Sequence, residues 1–237
     1  DLSAVGISNV YSNSTGAIMS SGSAGGPPVN ANLNSSNAFG PTAQIGFFKK
    51  FEDKNYLWGA KLAYSYIDAS STSGHLRLPQ QGSFGTDPFT GNALVQSYQS
   101  TLRQQFSFLP NLGRSFDWGY LSLGIGPTIS QINSKVNNLV GFADINGQRS
   151  DITGSPQSFS DTQWVWGGAA SLSGTYFLDE SWFLDLSYTF TRTANYTLDF
   201  NGSFSNATSS TTTTKGSLTG NATGYLSTNA LSLTLNK

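Results

Sequence analysis

The sequence predicts an all-β fold: a closed antiparallel barrel of eight membrane-spanning strands, with short turns on one rim and four long loops on the other. Three observations predict it. The stretch from Trp164 to Tyr196 reads as one long hairpin in which apolar and small polar residues alternate. Only 11% of the 237 residues are charged, against about 25% in ordinary globular proteins. The connections between alternating stretches are long and short in strict turn, so residues 1–237 read as one domain.

In the hairpin, Trp164, Trp166, Gly168, Ala170, Leu172, Gly174 and Tyr176 share one parity, and Val165, Ala169, Ser171, Ser173 and Thr175 the other. After a break at Leu178-Asp179-Glu180-Ser181 the pattern resumes, with Trp182, Leu184, Leu186, Tyr188 and Phe190 opposite Asp185, Ser187, Thr189 and Thr191. Successive side chains on a strand point to opposite faces. Each strand therefore has an apolar face with aromatics at its ends, as a lipid-facing strand requires. A soluble sandwich also alternates, but its strands run to about 5–6 residues and its wet face normally carries Lys and Glu.

The remaining strands follow in order. The first, 1–12, alternates weakly through Val5, Ile7 and Tyr11 and is placed partly by the need to close against the last strand, because lipid tolerates no open edge. A Ser/Gly/Asn/Pro tract at 13–37 is the first long loop. The second strand, 38–50, turns Phe39, Ala43, Ile45 and Phe47 outward. A charged break from Lys49 to Asn55 leads to the third, 56–67, with Trp58, Leu62, Tyr64 and Tyr66 outward and Lys61 inward. Residues 68–93 are the second long loop. The fourth strand, 94–108, has Tyr98, Leu102, Phe106 and Phe108 outward, with Gln99, Arg103 and Gln105 inward. A break at Leu109–Asp117 precedes the fifth, 118–132, and a third long loop, 133–160. The hairpin supplies strands six and seven. A near-chargeless loop, 197–221, leads to the eighth, 222–236, which carries Leu231, Leu233 and Leu235 on one face.

Bacterial barrels carry short turns on the periplasmic side and long loops outside, so both termini are expected in the periplasm. The aromatic girdles are Trp58, Trp118, Tyr176 and Trp182 near the turns, and Tyr64, Tyr66, Tyr98, Trp164, Trp166 and Phe190 near the loops. The lumen is expected to hold a polar network of Lys61, Arg103 and Asp185 with Gln44, Gln99 and Gln105. A buried ion must be paired or hydrogen-bonded. An eight-stranded interior is just wide enough for side chains to fill, which favours a core over a pore.

Composition also excludes functions. A net charge of −1 argues against nucleic acid. With no cysteine, disulfides, thiolate chemistry and Cys-ligated metals are out. Asp144, Asp151 and Asp161 lack calcium-loop spacing, no glycine-rich phosphate loop follows a strand, and no cofactor or metal is expected. His75, in SSTSGHLRLPQ, is the one imidazole. Serines near it in sequence do not make a Ser–His–acid arrangement, which needs the His oriented by a third group. The chain begins without a basic, apolar leader, so an exported form is expected to have lost its signal peptide.

The repeats WGAKLAYSY, YLSLGIGP and WFLDLSYTF resemble those of the small eight-stranded outer-membrane barrels of Gram-negative bacteria, the superfamily of the OmpA transmembrane domain, OmpX and the porin-like opacity proteins. The resemblance covers nearly the whole chain and speaks for fold, not for function. Many members end in an aromatic after alternating apolar residues; here the alternation ends Leu233-Thr234-Leu235-Asn236-Lys237. It implies an outer-membrane, OmpA-like protein in contact with lipopolysaccharide, most simply a monomer, with surface-exposed loops for adhesion to a glycan or protein. The expected function is structural or adhesive and non-enzymatic. The alternatives are a narrow channel for ions or small solutes and a lipid A deacylase or acyltransferase, in which His75 would have to serve.

Overall fold

The computed structural model describes residues 1–52 and 55–237. Among them are thirteen β-strands and no helix, all in one antiparallel sheet. They are β1 (Leu2–Ser12), β2 (Ile18–Gly25), β3 (Thr42–Lys50), β4 (Tyr56–Thr72), β5 (Leu76–Phe84), β6 (Asp87–Phe116), β7 (Gly119–Ile145), β8 (Gln148–Asp151), β9 (Gln157–Phe177), β10 (Phe183–Thr193), β11 (Tyr196–Asn206), β12 (Thr212–Gly224) and β13 (Ser227–Asn236). Thirteen strands replace the expected eight. The predicted break between Lys49 and Asn55 includes Asp53 and Lys54, which lie outside the described residues.

Three strands organise the rest. β6, β7 and β9 span 30, 27 and 21 residues and pair along most of their length. The other strands attach to one end of this trio or the other, so the sheet divides into two arms. In the turn-side arm the order is β3-β4-β6-β7-β9-β10-β13. In the head arm it is β11-β12-β1-β2-β5-β6-β7-β9. Amide side chains then bring β9 back to β11: Gln157 Nε2 donates to the Ser203 carbonyl at 2.7 Å and Gln163 Nε2 to that of Thr197 at 3.1 Å.

The head arm corrects the expectation of four polar loops. Loop 13–37 contains β2, and loop 68–93 contains β5 and the start of β6. Loop 133–160 contains the end of β7, β8 and the start of β9, and loop 197–221 contains β11 and most of β12. Two tight turns announce this pairing. Asn146-Gly147, with φ of 51° and 78°, joins β7 to β8, the left-handed pair a two-residue hairpin needs. Gly85, at φ 58°, opens the turn between Phe84 and Asp87.

β1 is likewise corrected. It pairs with β12, Leu2 opposite Ala222 through Ser12 opposite Thr212, and with β2, not with the last strand. Both its faces carry apolar residues, with Leu2 and Ala4 buried and Val5 and Ile7 exposed. Its own pattern therefore could not tell a lipid face from a core face. Asp1 consequently sits where the arms meet, its amino group donating to the Thr223 carbonyl at 2.7 Å. Lys237 lies over Trp182 beside the β9–β10 turn, so the two residues do not share a rim. The predicted break at Leu109–Asp117 is also absent, since β6 runs to Phe116. The ladder to β7 instead skips the residues between Ser107 and Asn111, where Pro110 and Pro127 lie, because proline has no N–H to donate.

The arms are packed oppositely. In the head, Leu2, Leu78, Val95, Val136, Leu139, Leu198, Phe200, Phe204 and Leu218 form an apolar interior. In the turn-side arm the interior is Ser122, Thr128, Ser130, Ser171, Ser173, Thr175 and Ser187, all buried. Its outer surface exposes Ile45, Leu62, Leu112, Leu123, Ile125, Leu172, Leu186, Leu231, Leu233 and Leu235.

Candidate functional site: a polar chamber with two apolar ends

The chamber is built around Asp185. On β10 it lies opposite Thr175 of β9 on one side and Thr234 of β13 on the other, small neighbours that leave room for a carboxylate. Its side chain is 3% exposed and pairs with the ammonium of Lys61, which reaches across from β4. Thr175 Oγ1 donates to the second carboxylate oxygen at 3.2 Å. From β3, Gln44 Nε2 lies 3.3 Å from Asp185 Oδ2 and 2.8 Å from both Thr234 Oγ1 and Asn236 Oδ1. Both ions are thus paired inside the sheet, as burial demands. The cluster also ties β3 and β4 to β10 and β13, which no backbone ladder joins among the described residues.

A cavity of ≈ 490 Å³ adjoins the cluster, lined by Gln44, Lys61, Asn111, Tyr120, Asp185 and Asn236 among others. At its end toward the turns, Phe48 packs on Tyr120 at 4.7 Å, with Phe177 at 6.5 Å and Phe183 at 6.3 Å. Toward the head, Leu102, Ile132, Val165 and Tyr196 form a separate apolar layer at the waist between the arms, with Ile67 and Leu226 against it. Above that layer lies the head core. The polar chamber therefore has apolar groups at both ends. Sequence reading missed both layers: Phe48, Phe177 and Phe183 break the outward-aromatic rule, and Leu102 was expected to face outward.

Of the six residues expected in the lumen network, Lys61, Asp185 and Gln44 come together. Gln105 is buried higher up, its Nε2 without a protein partner. Gln99 donates to Ser70 at 3.1 Å in the head arm. Arg103 is exposed on the outer face, which corrects its inward assignment. Register shifts are the reason: β6 slips against β7 between Leu102 and Gln104, and β4 slips against β6 between Tyr66 and Ala69, with Asp68 at φ 50°. A bulge adds one residue and flips the parity beyond it. Leu102 thereby turns inward and Arg103 out.

The girdle residues Trp58, Tyr66, Trp118, Trp164, Trp166, Tyr176, Trp182 and Phe190 are all on the exposed face. Tyr64, half-buried, packs on Phe106 at 4.9 Å and donates to Gln104 Oε1 at 2.8 Å. Tyr98 is the exception. It is buried in the head core, where desolvation and then the neighbouring Tyr196 hold its pKa above the ordinary tyrosine value. The shift between Leu102 and Gln104 sets its parity, as it sets that of Leu102.

His75 is exposed in the short link between β4 and β5, immediately before Leu76. The nearby hydroxyls are engaged elsewhere: Ser73 Oγ accepts from the Tyr98 N–H at 3.2 Å, and Ser70 bonds Thr101 at 2.6 Å. Arg77 Nε donates to Asn92 Oδ1 at 2.7 Å. The outer face of the head presents a different chemistry. Thr197, Asp199, Asn201, Ser203 and Ser205 of β11 all point out, beside Thr219 and Asn221 of β12.

No family model and no curated protein matches the chain. Among solved structures, the translocator domain of the autotransporter NalP from Neisseria meningitidis aligns over 93% of this chain and 86% of that one, at 9% identity and a TM-score of 0.14. A likeness at that score carries no argument about fold or function.

Proposed function

We propose that the protein is a bacterial outer-membrane β-barrel whose turn-side arm spans the lipid and whose head arm stands outside as a folded, surface-interacting β-structure. The observation that carries this reading is the reversed packing of the turn-side arm. Its outer surface is a band of Leu, Ile, Phe and Trp, while Lys61 and Asp185 are paired within it. Water favours the opposite arrangement, and lipid favours this one. Trp58, Trp118, Tyr176 and Trp182 at the turns and Tyr66, Trp164 and Trp166 at the waist are exposed near the two ends of the band, where interfacial anchors belong.

The reading is non-enzymatic. His75 has a loop position and no hydrogen bond to a serine among the described residues, and this reading assigns it no catalytic role. The two apolar ends of the chamber support a structural anchor over a channel. At the waist, Arg103 and Arg192 are exposed on the outer face near the Tyr66 and Trp166 anchors, a position that suits the phosphates of lipopolysaccharide. The uncharged hydroxyl and amide rows of β11 and β12 suit polar contacts with a glycan or protein.

Planar-bilayer recording on refolded protein tests the reading. Silence is expected from protein whose heat-modifiable gel migration shows it folded. Reproducible conductance steps, altered in Lys61→Ala, would replace the anchor with a pore.

A further inference from the structure

The turn-side arm leaves two sheet edges, and their directions identify what fits between them. Among the described residues β3 pairs only with β4, and β13 only with β10. Seven antiparallel strands separate into four descending and three ascending, so β3 and β13, at the two ends of the row, both descend from the waist to the turns. Two parallel edges of an antiparallel sheet do not complete each other. One strand running the opposite way pairs with both. Across the opening only side chains meet, Gln44 reaching Thr234 and Asn236.

We propose that this slot receives one ascending β-strand of the same polypeptide, continuous with Asp1. The proposal rests on the membrane reading, because only in lipid are unpaired strand edges forbidden. Asp1 is placed for the connection. Its amino group donates to the carbonyl of Thr223 and its carbonyl accepts from the N–H of that residue, at the waist, where β12 ends and β13 soon begins. β1 climbs away from that point into the head, so a strand rising through the slot reaches Asp1 without crossing another connection. The flanking faces fix the occupant's chemistry. Ile45 and Phe47 on one side and Leu231, Leu233 and Leu235 on the other point out; Gln44, Thr234 and Asn236 point in. The occupant alternates apolar residues outward with small or polar residues inward.

The test uses outer-membrane vesicles from cells that make the protein carrying Ile45→Cys and Leu233→Cys, two outward positions clear of the Lys61–Asp185 cluster. A strand in the slot holds the edges two strand spacings apart, ~9.6 Å, beyond the span of a disulfide. The expected result is no disulfide on oxidation, bridging within one chain by a bis-maleimide of about that length, and tryptic peptides of the purified protein that lie ahead of Asp1. A direct disulfide within one chain would overturn the proposal, as would bridging between two chains, which would put a second copy in the slot, or a peptide map beginning at Asp1. Urea washing of the same vesicles reads the membrane assignment separately: protein that washes off rejects that assignment, whatever the cross-links show.

Discussion

The head arm and the turn-side arm are made from the same three long strands, yet they bury opposite chemistry. Along β9, Trp166, Leu172 and Tyr176 are exposed while Ser171, Ser173 and Thr175 are buried. Its head end instead lays Phe159 on Phe200 inside, with ring centroids 4.9 Å apart. The same backbone ladder runs through both regions, so hydrogen bonding does not decide which face is buried. On the proposed membrane reading the surrounding solvent does: a chain that stands half in lipid and half in water reverses its polarity at the boundary, and the waist layer of Leu102, Ile132 and Val165 is where that reversal falls.

Four substitutions break or sharpen that comparison. Leu139→Ala, at a fully buried head position, should cost about 2–5 kcal/mol, read as a lowered urea midpoint with the turn-side arm still inserted. Leu186→Arg on the turn-side outer face should cost about 2–4 kcal/mol at the bilayer midplane; an unchanged folding yield in liposomes would contradict the lipid assignment. Asp185→Ala strands Lys61 and frees Thr175, and should cost about 1–3 kcal/mol for the groups left unsatisfied. An unaltered denaturation midpoint would show that the cluster does not hold β3 and β4 to β10 and β13. Ile7→Arg, outward in the head and 57% exposed, should stay within about 0.5 kcal/mol. The contrast between Leu186→Arg and Ile7→Arg is the comparison in its smallest form.

Much of the turn-side arm was legible in the sequence because one period-2 signal, strong aromatics and scarce charge all agree there. Lys61, Gln44 and Asp185 could be assigned to one interior from parity alone. Arg103, Leu102 and Tyr98 could not, since a bulge resets parity without changing composition. The head was misread for a different reason. Tyr196, Leu198 and Phe200 alternate visibly, but Ser, Thr, Gly and Asn dominate 197–221, and their average polarity hid how far the alternation runs, to Phe204 and on to Leu218 and Ala222 of the paired strand. Asn146-Gly147 was the local signal that hairpins continue above the waist. β1 had no such signal: with apolar residues on both faces, only its partner β12 decides where it lies.

The most direct measurement is spin-label accessibility in liposomes, with nitroxides at Leu172→Cys and Leu233→Cys in the turn-side arm and at Asn201→Cys and Thr219→Cys in the head. All four side chains point outward. Reversal at the waist predicts that the first two are relaxed by oxygen and shielded from a water-soluble nickel complex, and that the last two show the opposite. Equal access of the nickel complex to all four would contradict it, and would return the whole outer surface to water.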